Sequence, residues 1–263
     1  MSKATKIWLT AAAGLILSGI ITFAVAIIAL EFDFSKLSTS KYTTKTHFPE
    51  GTFEEIIVDT NLSDIDFLLS PDGKCKVVSM EEENVSHTVE VKDGRLTIKA
   101  VDNRKWYDYI GISWENPYLT VYLPETEYKA LFVETDVGKV KVSDGFYFET
   151  IDLSGNTGDF ELTNVTCNSF KADTDTGDIT LKNVIAKGNL SIETDTGDVE
   201  FDRCDALSIK AETDTGDVKG TLLSEKKFTA YSSTGDVRVP NTSGGGKCEI
   251  TCDTGDINIK IEG

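Results

Sequence analysis

Histidine is almost missing from this 263-residue chain. Only His47 and His87 occur, too few for a zinc site built on imidazoles and little basis for a Ser-His-Asp arrangement. Basic residues are also short. With 26 Lys and Arg against 44 Asp and Glu the formal net charge is -18, so no basic face exists to neutralise phosphates, and nucleic acid is excluded as a partner. The five cysteines, Cys75, Cys167, Cys204, Cys248 and Cys252, have neither zinc nor redox spacing. Cys248 and Cys252 stand four apart, about 13 Å in an extended strand, which is beyond the reach of a disulfide. The cysteines read as small hydrophobes. Catalytic motifs are equally thin. Asp-Thr-Gly, the aspartic-protease triplet, occurs at Asp175, Asp195, Asp214 and Asp253, but that chemistry needs two facing loops that share a proton, and serial copies lie in a row. Gly244-Gly245-Gly246 has no strand, helix and lysine around it to cradle phosphate, and reads as a flexible loop.

What the chain does have is repetition. Thr174-Asp175-Thr176-Gly177-Asp178-Ile179 returns at Thr194, Thr213, Ser232 and Cys252, with weaker copies at Thr135 and Gly155. The turn glycines are Gly138, Gly158, Gly177, Gly197, Gly216, Gly235 and Gly255, at steps of 19 or 20 residues. So regular a step means one structural unit copied in series. Apolar residues stand seven and five before each glycine, as in Phe170 and Ala172 or Leu190 and Ile192, and resume two and four after it, as in Ile179 and Leu181. The alternation is that of a strand with one buried face, and it changes phase across Gly-Asp, where the chain turns a corner. A second corner is marked by Val165, Val184, Cys204 and Leu223, seven after the glycine. The expectation is an all-β fold, a parallel β-solenoid of 19–20-residue rungs.

Three residues before the glycine, Thr135, Thr174, Thr194 and Thr213 continue the inward parity, where their hydroxyls can bond to each other and to backbone. Two ladders of aspartate accompany them. Asp175, Asp195 and Asp214 lie two before the glycine, and Asp178, Asp198 and Asp217 lie just after it. Stacked carboxylates repel unless hydrogen bonds or cations compensate, so two readings are open: turn capping, and Ca²⁺ held by oxygen ligands. No other cofactor is expected.

Ahead of the repeats, Lys3 and Lys6 precede Ile7 to Leu30, a run of 24 residues without charge, roughly 36 Å as a helix. The expected order is a cytoplasmic N-terminus over 1–6, a transmembrane helix through membrane lipid over 7–30, a linker over 31–48 and an extracellular domain over 49–263. The lysines lie only before the run, which keeps that end inside. Ala24-Val25-Ala26 offers a signal-peptide cleavage site as the rival reading, though cutting there leaves Ile27 to Leu30 as a bare apolar end. Ile56 to Phe67 matches the repeat with Ser63 in the glycine's place, and a hairpin is expected from Val85–Val91 to Arg95–Ala100 through Asp93-Gly94. Residues 104–118 break the pattern with Trp106, Tyr107, Tyr109, Trp114 and Tyr118. Such a cluster covers the end of a stack or grips a sugar or a partner.

The strand ending in Pro124, followed by serial Thr-x-Thr-Gly-Asp units, resembles the bacterial putative-adhesin family, over about residues 50–263. That resemblance implies a membrane-anchored β-solenoid of the cell envelope with no catalytic residues to transfer. Three function classes follow: a non-enzymatic surface module that binds cell-wall polymer, host surface or a partner protein; an accessory of envelope-stress sensing, paired with another membrane protein; and a polysaccharide-acting enzyme. The last rests on analogy of fold alone, and an enzyme's site should break the repeat, which stays regular from 155 to 260.

Overall fold

The computed structural model describes residues 2–32, 41–106, 115–143 and 145–262. It divides into two units, Met1–Lys41 with Arg104–Glu115, and Tyr42–Asn103 with Asn116–Gly263. The first holds α1 (Lys3–Ala29), long and apolar enough to cross a membrane. It starts four residues before the uncharged run because Ser2 caps it, its hydroxyl accepting the Thr5 N–H at 3.1 Å.

The second unit is built of strands. Its first part contains β1 (Tyr42–His47), β2 (Glu55–Leu62), β3 (Asp64–Leu69), β4 (Lys76–Glu82), β5 (Val85–Lys92), β6 (Arg95–Asp102) and β7 (Tyr118–Leu123). The repeats follow as β8 (Glu127–Val137), β9 (Val140–Val142), β10 (Tyr147–Thr157), β11 (Phe160–Thr163), β12 (Thr166–Thr176), β13 (Ile179–Lys182), β14 (Ile185–Thr196) and β15 (Val199–Thr215). The last are β16 (Val218–Leu222), β17 (Lys226–Thr234), β18 (Val237–Arg238), β19 (Gly246–Thr254) and β20 (Ile257–Ile261).

Alternation decides which side chains meet. Phe170, Ala172 and Thr174 of β12 point inward and are buried, as are Ile179 and Leu181 of β13 beyond the glycine corner. From β8 to β14 each strand pairs in parallel with its counterpart one unit on. Ile151 lies opposite Phe170, and Phe170 opposite Leu190, so the pairing steps are the 19 and 20 residues of the repeat. The longer strands form one ladder and the shorter ones a second, with a single apolar core between them. Ser63 does occupy a glycine's place: a Cβ on Gly138 would fall 2.1 Å from the Ser63 carbonyl oxygen. Asp93 and Gly94 both take positive φ in the β5–β6 turn, as a tight hairpin requires.

Four expectations need correction. The stretch 31–48, expected as a linker, contains β1, which pairs antiparallel with β4; its four central residues are all exposed, so no apolar period betrays it. Leu223 is exposed and Leu222 fills the second corner, because the rung shortens by one residue where Cys204 pairs with Leu222. Gly244 to Gly246 are closely packed instead of flexible: a Cβ on Gly245 would meet the Glu225 carbonyl at 1.7 Å, and one on Gly246 the Leu207 carbonyl at 1.8 Å. Finally, the rungs do not stack in strict chain order. β19 lies between β15 and β17, and β20 between β16 and β18, so the last rung in the chain sits inside the stack and the one before it forms the end. The first rung behaves the same way, since β2 lies between β6 and β8. Phe228 and Ala230, on the outer rung β17, are accordingly only half-buried.

Lys226 holds the inserted rung. It stands opposite Gly246, and its buried side chain reaches past that glycine to Asp205 Oδ1 on β15 at 2.5 Å.

The core also shows one compensated exchange. Gly155 stands where Thr135 and Thr174 stand in the adjoining rungs, and Phe160 stands where they carry Val140 and Ile179. A Cβ on Gly155 would lie 3.1 Å from Phe160 Cζ, so the ring occupies the threonine's volume. Phe160→Val alone should cost about 2–4 kcal/mol through the cavity it leaves, and Gly155→Thr alone about 1–3 kcal/mol through overpacking. Combined, they should recover at least about 1 kcal/mol of the summed loss, read from denaturant melts. Simple additivity would contradict the exchange.

Candidate functional site

The corner motif has three working parts. Gly197 has φ +156° and a Cβ there would sit 2.0 Å from the Gly177 carbonyl oxygen, a separation no side chain survives. The hydroxyl of Thr194 donates to that same carbonyl at 3.2 Å, and Thr213 repeats the bond to Gly197 at 3.0 Å. Cys252 and Ser232 continue the column, donating to the carbonyls of Gly216 and Gly255. The hydroxyls of Thr135 and Thr174, either side of Gly155, are buried without a partner.

The third part is the carboxylate after the glycine. Asp178 Oδ1 accepts the N–H of Asp198 at 2.8 Å, Asp198 accepts that of Asp217, Asp217 that of Asp256, and Asp256 that of Asp236. One amide N–H thus stands between successive carboxylates and offsets their repulsion. The hydrogen bonds of turn capping are present, and they run from rung to rung. Asp175, Asp195 and Asp214 lie on exposed outward positions of their strands. Among the described residues no group of three His, Cys, Asp or Glu side chains is gathered so as to hold a metal ion. The turn glycines Gly158, Gly177, Gly197, Gly216, Gly235 and Gly255 all have φ between +148° and +156°.

Of the aromatic cluster, Trp106 is exposed, while Tyr107, Tyr109 and Trp114 fall outside the described residues. The five cysteines are free and buried. Burial pushes the thiols of Cys75, Cys167 and Cys248 up to about 12 and that of Cys204 to about 11, which makes them poor nucleophiles.

A buried polar cluster at the N-terminal end escaped the reading of the sequence. Glu81 on β4 is 1% exposed in its side chain; its Oε1 accepts from Ser79 Oγ at 2.9 Å and from the His87 N–H at 2.8 Å. Lys45 Nζ on β1 lies 2.6 Å from its other oxygen. His87 on β5 places Nδ1 3.4 Å from Glu81 Oε1 and Nε2 3.3 Å from Thr60 Oγ1 on β2. His47 Nε2 is buried without a partner. The signal was available in β4, whose buried positions Val77, Ser79 and Glu81 alternate correctly but turn polar. Burial alone would raise the Glu81 carboxyl, yet the hydrogen bonds from Lys45, His87 and Ser79 together hold it below its usual range. Burial lowers His87 more than the facing carboxylate of Glu81 raises it, and Lys45 and His47 add to the lowering.

Such a stack of parallel strand rungs, with an apolar helix ahead of it, defines a class of mostly-β architecture. The chain belongs to the Toastrack DUF4097 family, whose model matches residues 53–263. Among solved structures it is similar to one described as a putative adhesin from Bacteroides fragilis, at 19% identity and TM-score 0.56, over 84% of this chain and 97% of that one. It also matches a putative adhesin from Parabacteroides distasonis at 17% identity, TM-score 0.45, over 84% and 98%. A putative cell adhesion protein from Clostridium sporogenes follows at 15%, TM-score 0.40, over 85% and 100%. At these identities the likeness concerns fold. No curated protein matches the chain.

The buried cluster generates a pH dependence. A histidine whose folded pKa is depressed takes up its proton more readily when unfolded, so its contribution is present above about pH 6.5 and is lost as pH falls below it. Glu81 acts in the same direction below about pH 4.5. The melting temperature should therefore fall between pH 7.5 and 5.5, and His87→Gln should flatten that interval while leaving the loss below about pH 4.5. An unchanged slope in the variant would show that His87 does not carry it.

Proposed function

We propose that this protein is a non-enzymatic, membrane-anchored surface module: α1 crosses the membrane with its N-terminus in the cytoplasm, and a β-solenoid of 19–20-residue rungs stands outside. There it engages cell-wall polymer, a host surface or a partner protein. The observation that carries the reading is the division of labour among the polar side chains. Along the corner columns a hydroxyl, a thiol and a carboxylate hold one rung to the next, as in Thr194, Cys252 and Asp198. The remaining outward positions form long, regular ladders. Asp136, Asn156, Asp175, Asp195, Asp214 and Asp253 succeed one another along one column in stacking order. A flat, repeated, acidic surface suits recognition of an extended partner better than enclosure of a small substrate. Pairs such as Lys171–Asp173 and Lys210–Glu212 sit on that face with exposed side chains, so they contribute little to stability and remain open to exchange partners. The similar structure from Bacteroides fragilis, described as a putative adhesin, agrees with a surface role, and the lysines ahead of α1 agree with the orientation.

Protease added to intact spheroplasts that carry the chain with a C-terminal epitope should remove the epitope and leave an N-terminal fragment in the membrane. Cells lacking the chain should adhere less well to immobilised wall polymer or to a host-cell layer. Full protection of the epitope would overturn the orientation, and unchanged adhesion on every surface would overturn the binding role.

A further inference from the structure

The two ladders end differently on the outer rung. On the shorter ladder the end is blunted: β18 has only two residues, Arg238 pairs with Asp236 at 2.7 Å, and Pro240, which has no N–H, follows. On the longer ladder, β17 runs for nine residues and among the described residues pairs only with β19. Thr242 Oγ1 bonds to the Lys226 carbonyl at the start of β17, and beyond it Lys227, Thr229, Tyr231, Ser233 and Thr234 are exposed. The charge pattern changes at the same place. The neighbouring strands in stacking order carry outward carboxylates: Asp173 and Asp175 on β12, Glu193 and Asp195 on β14, Glu212 and Asp214 on β15, Glu249 and Asp253 on β19. In the corresponding positions β17 presents Lys227, Thr229, Tyr231 and Ser233, with no acid among its nine residues.

We propose that β17 is the edge through which two copies of this chain pair, antiparallel about a two-fold axis, making their longer ladders one continuous sheet. A chain of net charge -18 repels its own copies, and an acid-free strand is where that repulsion is least. Centred on Ala230, the register sets Thr229 opposite Tyr231 and Lys227 opposite Ser233. Both are favourable cross-strand contacts: an aromatic ring on a β-branched residue, and a lysine beside a hydroxyl instead of a like charge. Tyr231 is 61% exposed in the single copy and becomes covered by Thr229 of the second. The isologous arrangement closes after two copies and builds no fibre.

Full-length chain in detergent micelles or nanodiscs, measured by light scattering, should contain two copies. Thr229→Lys with Tyr231→Lys puts like charges opposite each other across the two-fold, while within one copy position 229 faces Glu249 of β19; it should weaken the dimer at least about tenfold without lowering the melting temperature of the single copy. For a readout independent of that variant, Lys227→Cys and Ser233→Cys chains are mixed under mild oxidation. They should cross-link to one another, and neither should link to a cysteine placed at Asp195; the five native cysteines are buried. A monomer at all concentrations, a dimer indifferent to the two lysines, or cross-links to the cysteine at position 195 as readily as between positions 227 and 233 would each overturn the proposal.

Discussion

The structure depends on how closely one glycine corner rests on the next. With φ near +150° and no Cβ, each corner glycine brings its backbone against the carbonyl of the glycine before it, where a single added carbon would fall within about 2 Å. That contact holds the corners at ladder spacing, and the other repeated features of the motif use it. The glycine carbonyl accepts the hydroxyl three residues before the following corner. The glycine N–H donates to the residue before the following corner, as Gly197 does to Thr215 at 2.9 Å. The aspartate next to it accepts the following aspartate's N–H. Thr-x-x-Gly-Asp is thus one device for satisfying the backbone of a half-buried corner, and its repetition follows from stacking.

Repeat stacks are weakest at their ends, where a rung has one neighbour instead of two. Here both chain-terminal rungs are tucked inside. The first, β2 with β3, and the last, β19 with β20, each have neighbours on both sides. The rungs left outermost are held from both chain directions, and Lys226 ties one of them across its inner neighbour to Asp205.

The repeat, its corners and the inward threonines were legible because each depends on local spacing: a strand shows its buried face by parity, and a positive-φ corner shows itself by glycine. The insertion of β19 was not, since its own alternation is the same whichever strands flank it. The nearest hint was Gly244-Gly245-Gly246, whose lack of side chains lets the crossing pack against Glu225 and Leu207. β1 stayed hidden because an edge strand with exposed faces needs no apolar period. The cluster joins Lys45 on β1 to Glu81 and His87 on the successive strands β4 and β5, and buried polar groups announce themselves only once their partners are known. The carboxylate ladder was visible, but the amides between its members were not.

If close approach at the corners is the governing constraint, a methyl group should be intolerable there and tolerable at another positive-φ glycine with space around it. Gly73 has φ +69° and nothing within 4 Å of where a Cβ would stand, so Gly73→Ala bears only the cost of a left-handed backbone, about 1 kcal/mol. Gly197→Ala bears a larger backbone cost, because φ +156° lies beyond the left-handed helical region, and with it the collision with Gly177. The account predicts that denaturant melts will show Gly197→Ala losing at least about 2 kcal/mol more than Gly73→Ala. Equal losses would contradict it.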